Sequence, residues 1–253
     1  SGTGSAGASA GATVSRARGE RGLPTDHRYR LTSRAHSGGP VLLFNAETLA
    51  HIALIARFGG DWFRQTGSDV DPGTRLFTVA TEAGPGAVIE LPGGSTPRSV
   101  LATAGLDPAA TTAALIGGFH GEWVDTAALD QPLTTGREPG SLAAGAGVLL
   151  ALQGTACPLQ VTADIVAYLA SQSARQCGPC TAGLPRLSAQ VGAFARGESG
   201  AAAGIARQAE LVAGRGACHH PDGTARLAGS AARRFAEEAA AHAAGVCHFR
   251  RAA

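Results

Sequence analysis

The residues of this sequence best suited to chemistry are cysteines. Cys177 and Cys180 enclose Gly178-Pro179, a tight dipeptide that lets both thiols converge on one centre from a single turn of the chain. Cys218 lies 38 positions further on (218 − 180), in an expected loop between two helices. Thiolates are soft ligands that favour iron–sulfur clusters or zinc. The pattern therefore predicts a metal centre held by these three side chains.

The residue types alone leave several uses of these cysteines open. A C-x-x-C pair can be a redox dithiol, but such pairs usually follow the first strand of a βαβ unit, and this one lies between predicted helices. A structural zinc site would take the same three cysteines and either His219 or His220. Free cysteines also occur as small buried apolar residues, which is our interpretation of Cys157 in its apolar strand context. On residue types, zinc and iron–sulfur are equally favoured.

Length and composition narrow the class of protein. The chain has 253 residues, 21 basic against 19 acidic, and a net charge of +2. This balance argues against a nucleic-acid binder, which would carry a concentrated basic surface. The five cysteines fit a reducing compartment. No run reaches the ~18 apolar residues of a membrane span, so we expect a cytoplasmic protein that reaches a membrane only through a complex.

The first part of the chain carries few structural signals. Residues 1–39 are rich in Gly, Ala, Ser and Arg, lack a sustained period, and are expected to be loosely structured. Their Gly2-Thr-Gly-Ser-Ala-Gly7 has the form G-x-G-x-x-G, but no strand precedes it, so we interpret it as biased composition. The sequence also lacks Met, which favours a processed form, a fragment or a misassigned start. The first helix is predicted from Asn45, its cap, to Phe58.

Two kinds of element follow. Short strands are predicted at residues 75–80, 87–91, 113–116 and 147–152, with a short helix at 96–104. This order fits a small mixed α/β unit. From residue 159 onward the apolar residues recur at helical spacing only, which predicts helices at 159–172, 184–196, 201–213 and 225–244. The cysteines of the predicted metal centre lie between these helices.

Several segments, in order, resemble the flavoprotein (NADH-binding, F-type) subunit of NADH:quinone oxidoreductase and its relatives in NAD-linked formate dehydrogenases and hydrogenases. The resemblance begins with Phe44-Asn-Ala-Glu-Thr-Leu-Ala50 and Gly60-Asp-Trp-Phe63. It continues with Pro72-Gly-Thr-Arg-Leu-Phe77. It ends with Cys177-x-x-Cys180-x-x-Gly183 and Arg215-Gly-Ala-Cys218. Each motif is short, and their shared order carries the resemblance over roughly residues 40 to 245.

The resemblance implies an α+β fold class. A connecting helix at 40–71 would lead into a small β-grasp-like soluble-ligand-binding domain at 72–156. A C-terminal helical bundle at 157–253 would follow and carry the iron–sulfur site. Residues 1–39 would then be a remnant or a linker.

The resemblance also implies a [4Fe-4S] cluster, in an electron-transfer protein, with one ligand in question. The family motif is C-x-x-C-x-x-C, and its first cysteine falls on Ala174, so only Cys177, Cys180 and Cys218 match. We expect Cys247, which follows the last predicted helix, to be the fourth ligand. The alternative is a non-redox structural or interaction module whose cysteine site holds zinc or no metal, and a decayed paralogue is a third possibility.

In the family, the domain that binds FMN and NADH lies upstream of the helix at Asn45. FMN and NAD are therefore expected only if a flavin domain is supplied elsewhere, and this chain is not expected to oxidise NADH on its own. Asn45 and Thr48 match positions that border FMN, although helix capping also accounts for them. The implied partners are a ferredoxin-like redox subunit and a flavin/NADH domain.

Overall fold

The computed structural model describes residues 10–26, 44–136, 138–154 and 156–249. Its fold is mixed α/β, as predicted. The chain divides into two compact units, one formed by Phe44–Ala156 and the other by Ser1–Leu43 with Cys157–Ala253. Among the residues described, none of the helices combines the length and apolar character that a membrane span needs.

The elements are numbered in chain order. The helices are α1 (Ala10–Ala17), α2 (Ala46–Phe58), α3 (Gly60–Arg64), α4 (Pro97–Thr103), α5 (Pro158–Ser171), α6 (Leu184–Ala195), α7 (Ala201–Val212), α8 (His220–Arg234) and α9 (Ala236–Ala243). The strands are β1 (Thr74–Thr81), β2 (Gly84–Pro92), β3 (Ala113–Ile116), β4 (Glu122–Val124), β5 (Leu133–Thr134), β6 (Leu142–Ala143) and β7 (Val148–Leu152). Short 3₁₀ turns lie at Pro108–Ala110 and Thr126–Asp130, and a π-helical turn at Pro179–Gly183.

The first unit is built on a five-stranded sheet of order β2-β1-β7-β3-β4. β1 pairs antiparallel with β2 and parallel with β7, while β3 pairs antiparallel with both β7 and β4. The inward residues of β1 and β7 pack with α4 into a buried apolar cluster. Because alternate strand residues face opposite sides, Leu76 and Thr78 of β1 and Val148 and Leu150 of β7 lie on the other face and are exposed or partly exposed. The cluster includes Phe77, Val79, Val100, Leu101, Ile116, Leu133 and Leu149.

Helix α2 begins at its predicted cap. The side-chain Oδ1 of Asn45 accepts a hydrogen bond from the backbone N–H of Thr48 at 2.7 Å, which satisfies one of the free donors of the first turn. Gly59 ends the helix with φ 88°, a conformation that glycine adopts without a steric penalty. The predicted helix is therefore confirmed at both ends.

The second unit is helical beyond residue 157. α5 packs against α6 and α8, α6 packs against α7, and α7 packs against α8. Each helix contributes an apolar stripe at three- and four-residue spacing, as expected for helices that bury one face. The fully buried side chains of these stripes include Leu159, Val166, Leu169, Leu184, Leu187, Ile205 and Leu227.

One predicted helix differs from the structure. The helix expected at 225–244 begins five residues earlier, at His220, because Pro221 lies in the first turn, where a missing N–H is no loss. It is also broken at Phe235, whose backbone leaves the helical region with φ −113° and ψ 30°. The Phe235 ring is buried and packs edge-to-face on Phe249, with centroids 6.4 Å apart. This tertiary contact accompanies the break, and the periodic pattern does not reveal it.

Candidate metal centre

The structure brings together the three cysteines that the spacing singled out. The Sγ atoms of Cys177 and Cys180 are 3.8 Å apart. Cys218 lies close enough to Cys180 to add to the rise in its pKa, and Cys177 lies close enough to Cys218 to do the same there, although 38 residues separate Cys218 from Cys180 in the chain. Two segments, the turn before α6 and the loop before α8, therefore supply thiols to one place.

The turn before α6 is fixed by the backbone. The carbonyl oxygen of Cys177 accepts hydrogen bonds from the N–H groups of Cys180 and Thr181 at 2.7 and 3.0 Å. The π-helical turn that follows packs closely on the end of α7, where a Cβ at Gly183 would lie 2.3 Å from Val212 Cγ1. Only glycine permits this approach, so the α6–α7 contact holds the turn in place.

The loop that carries Cys218 is held by Asp222 in the first turn of α8. Oδ1 of Asp222 accepts a hydrogen bond from the backbone N–H of Gly214 at 2.7 Å. Oδ2 lies 3.1 Å from Nδ1 of His219. One carboxylate thus joins the start of α8 to both ends of the loop and positions the Cys218 thiol between them.

We predict that Asp222→Ala lowers the affinity of the centre for its metal roughly tenfold, the usual effect of removing a group that orients a ligand. Iron retained during a timed chelator challenge measures the effect. Asp222→Asn is the matched control, because its amide oxygen can still accept from Gly214 and the loss should be smaller. Equal retention in the wild type and Asp222→Ala would contradict this role.

Burial favours the neutral, protonated form of two of these thiols, those of Cys180 and Cys218. Burial raises the pKa of Cys180 to about 12, and the neighbouring sulfurs of Cys177 and Cys218 add to the rise. Burial also raises the pKa of Cys218. At neutral pH the metal-free thiols of Cys180 and Cys218 are therefore protonated, and a metal ion must displace their protons to form thiolates. Metal binding here should release protons and weaken in acid.

Backbone amides supply the hydrogen bonds that a metal–thiolate centre needs. The backbone of Arg175 bonds to the Cys180 sulfur and the backbone of His220 to the Cys218 sulfur, and each bond opposes the rise in that thiol's pKa. Arg175 reaches this position with φ 51°, an uncommon conformation for a residue with a Cβ. Converging thiols, burial and N–H donors together fit a metal–thiolate centre.

The two histidines beside Cys218 differ in their surroundings. His220 is buried, and its Nε2 lies 2.9 Å from the carbonyl oxygen of Leu169, to which it donates. Burial lowers the pKa of His220, so it is neutral. His219 is exposed and faces Asp222. Ala174, at the position where the C-x-x-C-x-x-C motif has its first cysteine, is also exposed.

Cys247 belongs to a different group of donors. Its Sγ lies with ligand atoms of Cys157, Glu238 and His242, all within 4.8 Å of one another. The chain turns after α9, where Gly245 has φ 76°, and this brings Cys247 to the start of α5. The expectation that Cys247 completes the three-cysteine centre is therefore not supported by its placement.

Cys157 also departs from its predicted surroundings. The apolar strand context was wrong, because Cys157 directly precedes α5 as its N-terminal cap residue. It is buried, as expected, but it lies beside other metal-binding side chains. Sequence reasoning missed Glu238 and His242 as their companions. Their four-residue separation, which places both on one face of a helix, is the signal that could have identified them.

The first described segment lies next to the cysteine turn. Gln176, which precedes Cys177, lines a cavity of about 420 Å³ together with Ser15, Arg21 and Pro24. Composition predicted loose structure here, and the structure forms α1 at Ala10–Ala17. The Gly2–Gly7 motif lies outside the described residues. Asn45 and Thr48 belong to the other compact unit, where they form the cap of α2, and their contact with FMN stays a prediction.

Comparison with known proteins gives concordant matches. Residues 160–242 match the family described as the NADH-ubiquinone oxidoreductase-F iron–sulfur binding region. The alpha subunit of the NAD-reducing hydrogenase HoxS from Cupriavidus necator is 30% identical over 180 residues, covering 71% of this chain and 29% of that protein. The F-type subunit of the Escherichia coli NADH-quinone oxidoreductase is 27% identical over 211 residues, covering 79% and 47%.

A solved structure shares the fold. The crystal structure of an NAD⁺-reducing [NiFe]-hydrogenase in the H₂-reduced state matches with a TM-score of 0.80 at 21% identity, covering 92% of this chain and 40% of that chain. The chain thus spans between 29% and 47% of the length of the hydrogenase and oxidoreductase relatives. All three cysteines of the candidate centre lie within residues 160–242, whereas Cys157 and Cys247 lie outside them.

Proposed function

Because the chain belongs, through residues 160–242, to the family of F-type iron–sulfur binding regions of NADH-ubiquinone oxidoreductase, we propose that it is an electron-transfer protein. In this proposal Cys177, Cys180 and Cys218 hold a [4Fe-4S] cluster. Such a cluster accepts and releases single electrons at a potential set by burial and by hydrogen bonds to its sulfurs. The convergence of these three thiols within the matched region is the observation that carries the proposal.

The chain's own residues would adjust the reduction potential of the cluster and limit its contact with water. The backbone hydrogen bonds from Arg175 and His220 place partial positive charge beside two of the sulfurs. Such bonds stabilise negative charge, and so favour the reduced form. The buried Cys180 and the close contact between Gly183 and Val212 would limit the access of water to that side of the centre.

We further propose that residues 72–156 form a β-grasp-like soluble-ligand-binding domain and that residues 157–253 form a cluster-binding helical bundle. Residues 40–71 would be the connecting helix, and residues 1–39 would be a remnant or linker. The parallel pairing of β1 with β7 beside the β1–β2 hairpin supports the first assignment. The mutual packing of α5 to α8 supports the second.

Electrons would come from a flavin/NADH domain and pass to a ferredoxin-like partner. The relatives that match this chain are named as subunits of an NAD-reducing hydrogenase and an NADH-quinone oxidoreductase, which supports a role within a complex. Large apolar side chains are exposed around α2 and α3, which supports a partner at these helices: Leu49, Ile52, Leu54, Phe58 and Trp62. FMN and NAD are proposed for that other domain, and the complex would be cytoplasmic.

One observation favours a second candidate, a non-redox zinc site at the same cysteines. Two thiolates on one tetrahedral zinc ion, with bonds of ~2.3 Å, stand ~3.8 Å apart. The Sγ atoms of Cys177 and Cys180 have that separation, 3.8 Å. The family match favours iron–sulfur, and metal analysis of the purified protein distinguishes the two.

Anaerobic expression with iron, followed by iron, zinc and acid-labile sulfide analysis, tests the proposal. We expect a brown protein with broad absorption and roughly four irons and four sulfides per chain, in line with thiolate ligation of such a cluster. A colourless protein whose zinc disappears on mutation of Cys180 would support the second candidate and overturn the first.

A further prediction concerns the first motif position. We expect Ala174→Cys to raise the iron retained after exposure to air, because it adds a thiol three residues before Cys177, at the position where the family motif has one. Iron content before and after a fixed air exposure measures the effect. Gln176→Cys is the control, since it adds a thiol at the wrong spacing. Equal retention in the wild type, Ala174→Cys and Gln176→Cys would count against the predicted vacant ligand position.

A further inference from the structure

A second group of metal-binding side chains lies at the end of the helical unit. The ligand atoms of Cys157, Glu238, His242 and Cys247 all lie within 4.8 Å of one another. Cys157 and Glu238 are buried, and the other two are partly buried. Two of the four residues lie outside the matched family region of residues 160–242, so that match does not account for the group.

The imidazole of His242 is oriented toward this group. Its Nδ1 lies 2.5 Å from the carbonyl oxygen of Ala195 at the end of α6, an acceptor that keeps the proton on Nδ1. Nε2 then points at the other donors, 3.6 Å from Sγ of Cys157 and 3.1 Å from Oε1 of Glu238. A backbone carbonyl on the far nitrogen is the usual support of a metal-binding histidine.

The carboxylate of Glu238 is also held in place. Oε2 accepts from Nδ1 of His248 at 2.8 Å, and Oε1 accepts from the backbone N–H of His248 at 3.0 Å. Burial alone would raise the pKa of Glu238, but hydrogen bonds from Cys247 and His248 outweigh it and lower the pKa. Glu238 is therefore a carboxylate that two hydrogen bonds orient in a buried position.

The group is accessible to an ion. A cavity of about 330 Å³ opens at the site and is lined by three of the donors together with Gln160, Ala195 and Arg196. Cys157 caps the 14-residue helix α5. Burial raises the pKa of the Cys157 thiol, and backbone N–H groups of Gln160 and Leu159 in the first turn of α5 oppose that rise.

We propose that Cys157, Glu238, His242 and Cys247 bind one zinc ion. Donors on a single tetrahedral zinc with bonds of ~2.0–2.3 Å stand ~3.3–3.8 Å apart. The distances from Nε2 of His242 to Cys157 and Glu238, 3.6 and 3.1 Å, are close to this range. Two sulfurs and one imidazole exclude the hard cations Ca²⁺ and Mg²⁺, which take oxygen ligands. On binding, Zn²⁺ displaces the two thiol protons into solvent and leaves two zinc thiolates, with no change of oxidation state.

The ion would link the segment around α9 to the start of α5 and so stabilise it. α9 and the turn that follows it would be tied through Glu238, His242 and Cys247 to the start of α5. This is a structural role, because four protein ligands leave no open position for substrate. It is independent of the proposed electron-transfer centre, which uses other cysteines.

Zinc titration of the full chain against a chromophoric chelator tests the proposal, after metal removal under anaerobic, reducing conditions. Cobalt(II) is the second probe, because four-coordinate cobalt thiolates give intense visible bands. The variant Cys180→Ser, in which iron binding is weakened, isolates the second site, and circular dichroism checks that it is folded. We expect one tightly bound zinc per chain and a tetrahedral cobalt spectrum in this variant.

Matched substitutions assign the ligands. His242→Gln and Cys157→Ser should each weaken zinc binding by about tenfold or more, as expected for loss of a metal-binding group. Serine also caps helices well, so Cys157→Ser should preserve α5. Glu238→Gln should weaken zinc binding, whereas Glu237→Gln, on an exposed neighbour, should not.

Several results would overturn the proposal. One is that the protein binds less than one zinc ion per chain in the titration. Another is that zinc binding is unchanged in both His242→Gln and Cys157→Ser. The third is that Cys157 and Cys247 form a disulfide that persists under reductant. None of these results depends on iron. A protein that loses its iron in Cys180→Ser but never binds zinc would refute this site and leave the electron-transfer proposal intact.

Discussion

Replacing Cys180 with serine is expected to reduce the iron retained by the purified protein roughly tenfold or more, the scale associated with losing a metal-orienting group. Cys180 is buried and lies within the π-helical turn that leads into α6. A serine hydroxyl is a poor substitute for a thiolate at a soft metal site. Iron and sulfide content after anaerobic purification, with circular dichroism to monitor folding, measures the effect.

Cys247→Ser is the informative control for that experiment. The two cysteines lie in the same helical unit, and only Cys180 belongs to the three-cysteine centre. We expect Cys247→Ser to retain as much iron as the wild type. Cys218→Ser should lose as much iron as Cys180→Ser does. If Cys247→Ser loses as much iron as Cys218→Ser, then Cys247 is a cluster ligand after all and the separation of the two sites is wrong.

The second large effect concerns the stability of the sheet. Phe77→Ala is expected to lower the free energy of unfolding by about 3–5 kcal/mol, because it removes a large side chain from a packed core. The side chain of Phe77 is 1% exposed and lies among Val79, Leu101 and Leu149. Urea unfolding followed by tryptophan fluorescence measures the loss, because both tryptophans, Trp62 and Trp123, belong to the unit that contains the sheet.

Leu76→Ala provides the comparison on the same strand. Leu76 is 44% exposed, and its alternation with Phe77 places the two side chains on opposite faces of β1. We expect a change within about 0.5 kcal/mol, as for other surface substitutions. Similar losses for Leu76→Ala and Phe77→Ala would mean that the assignment of the buried face of β1 is wrong.

Local signals predicted most of the elements. The cap at Asn45, the glycine at Gly59 and the helical spacing between them identified α2, because each acts over a few residues. The pairing of β1 with β7 was not predicted, since it joins Thr78 to Val148 across 70 positions (148 − 78). Strand order depends on packing between distant segments, and a periodic pattern carries no information about it.

In the candidate centre, too, spacing predicted the local geometry but not the contacts between distant segments. The C-x-x-C spacing brought Cys177 and Cys180 together correctly, because two residues of separation fix that geometry locally. Cys218 was placed with them by its expected loop and by the resemblance. Cys247 was expected at this centre, whereas the structure places it beside Cys157, Glu238 and His242, after the turn at Gly245.

The break between α8 and α9 explains why the second site was missed. A continuous helix over 225–244 gives no reason for its end to approach the start of α5. With the break at Phe235, Glu238 and His242 lie on the separate helix α9, beside Cys157. The contact between Phe235 and Phe249 joins positions 14 residues apart (249 − 235), beyond the reach of helical periodicity.

Electron paramagnetic resonance of the anaerobically purified protein, before and after reduction with dithionite, tests the central claim most directly. We predict that reduction produces an iron–sulfur signal that disappears on reoxidation, persists in Cys247→Ser and is absent from Cys180→Ser. A protein that shows no such signal in either state, and holds zinc at Cys177, Cys180 and Cys218, would contradict the proposed electron-transfer function.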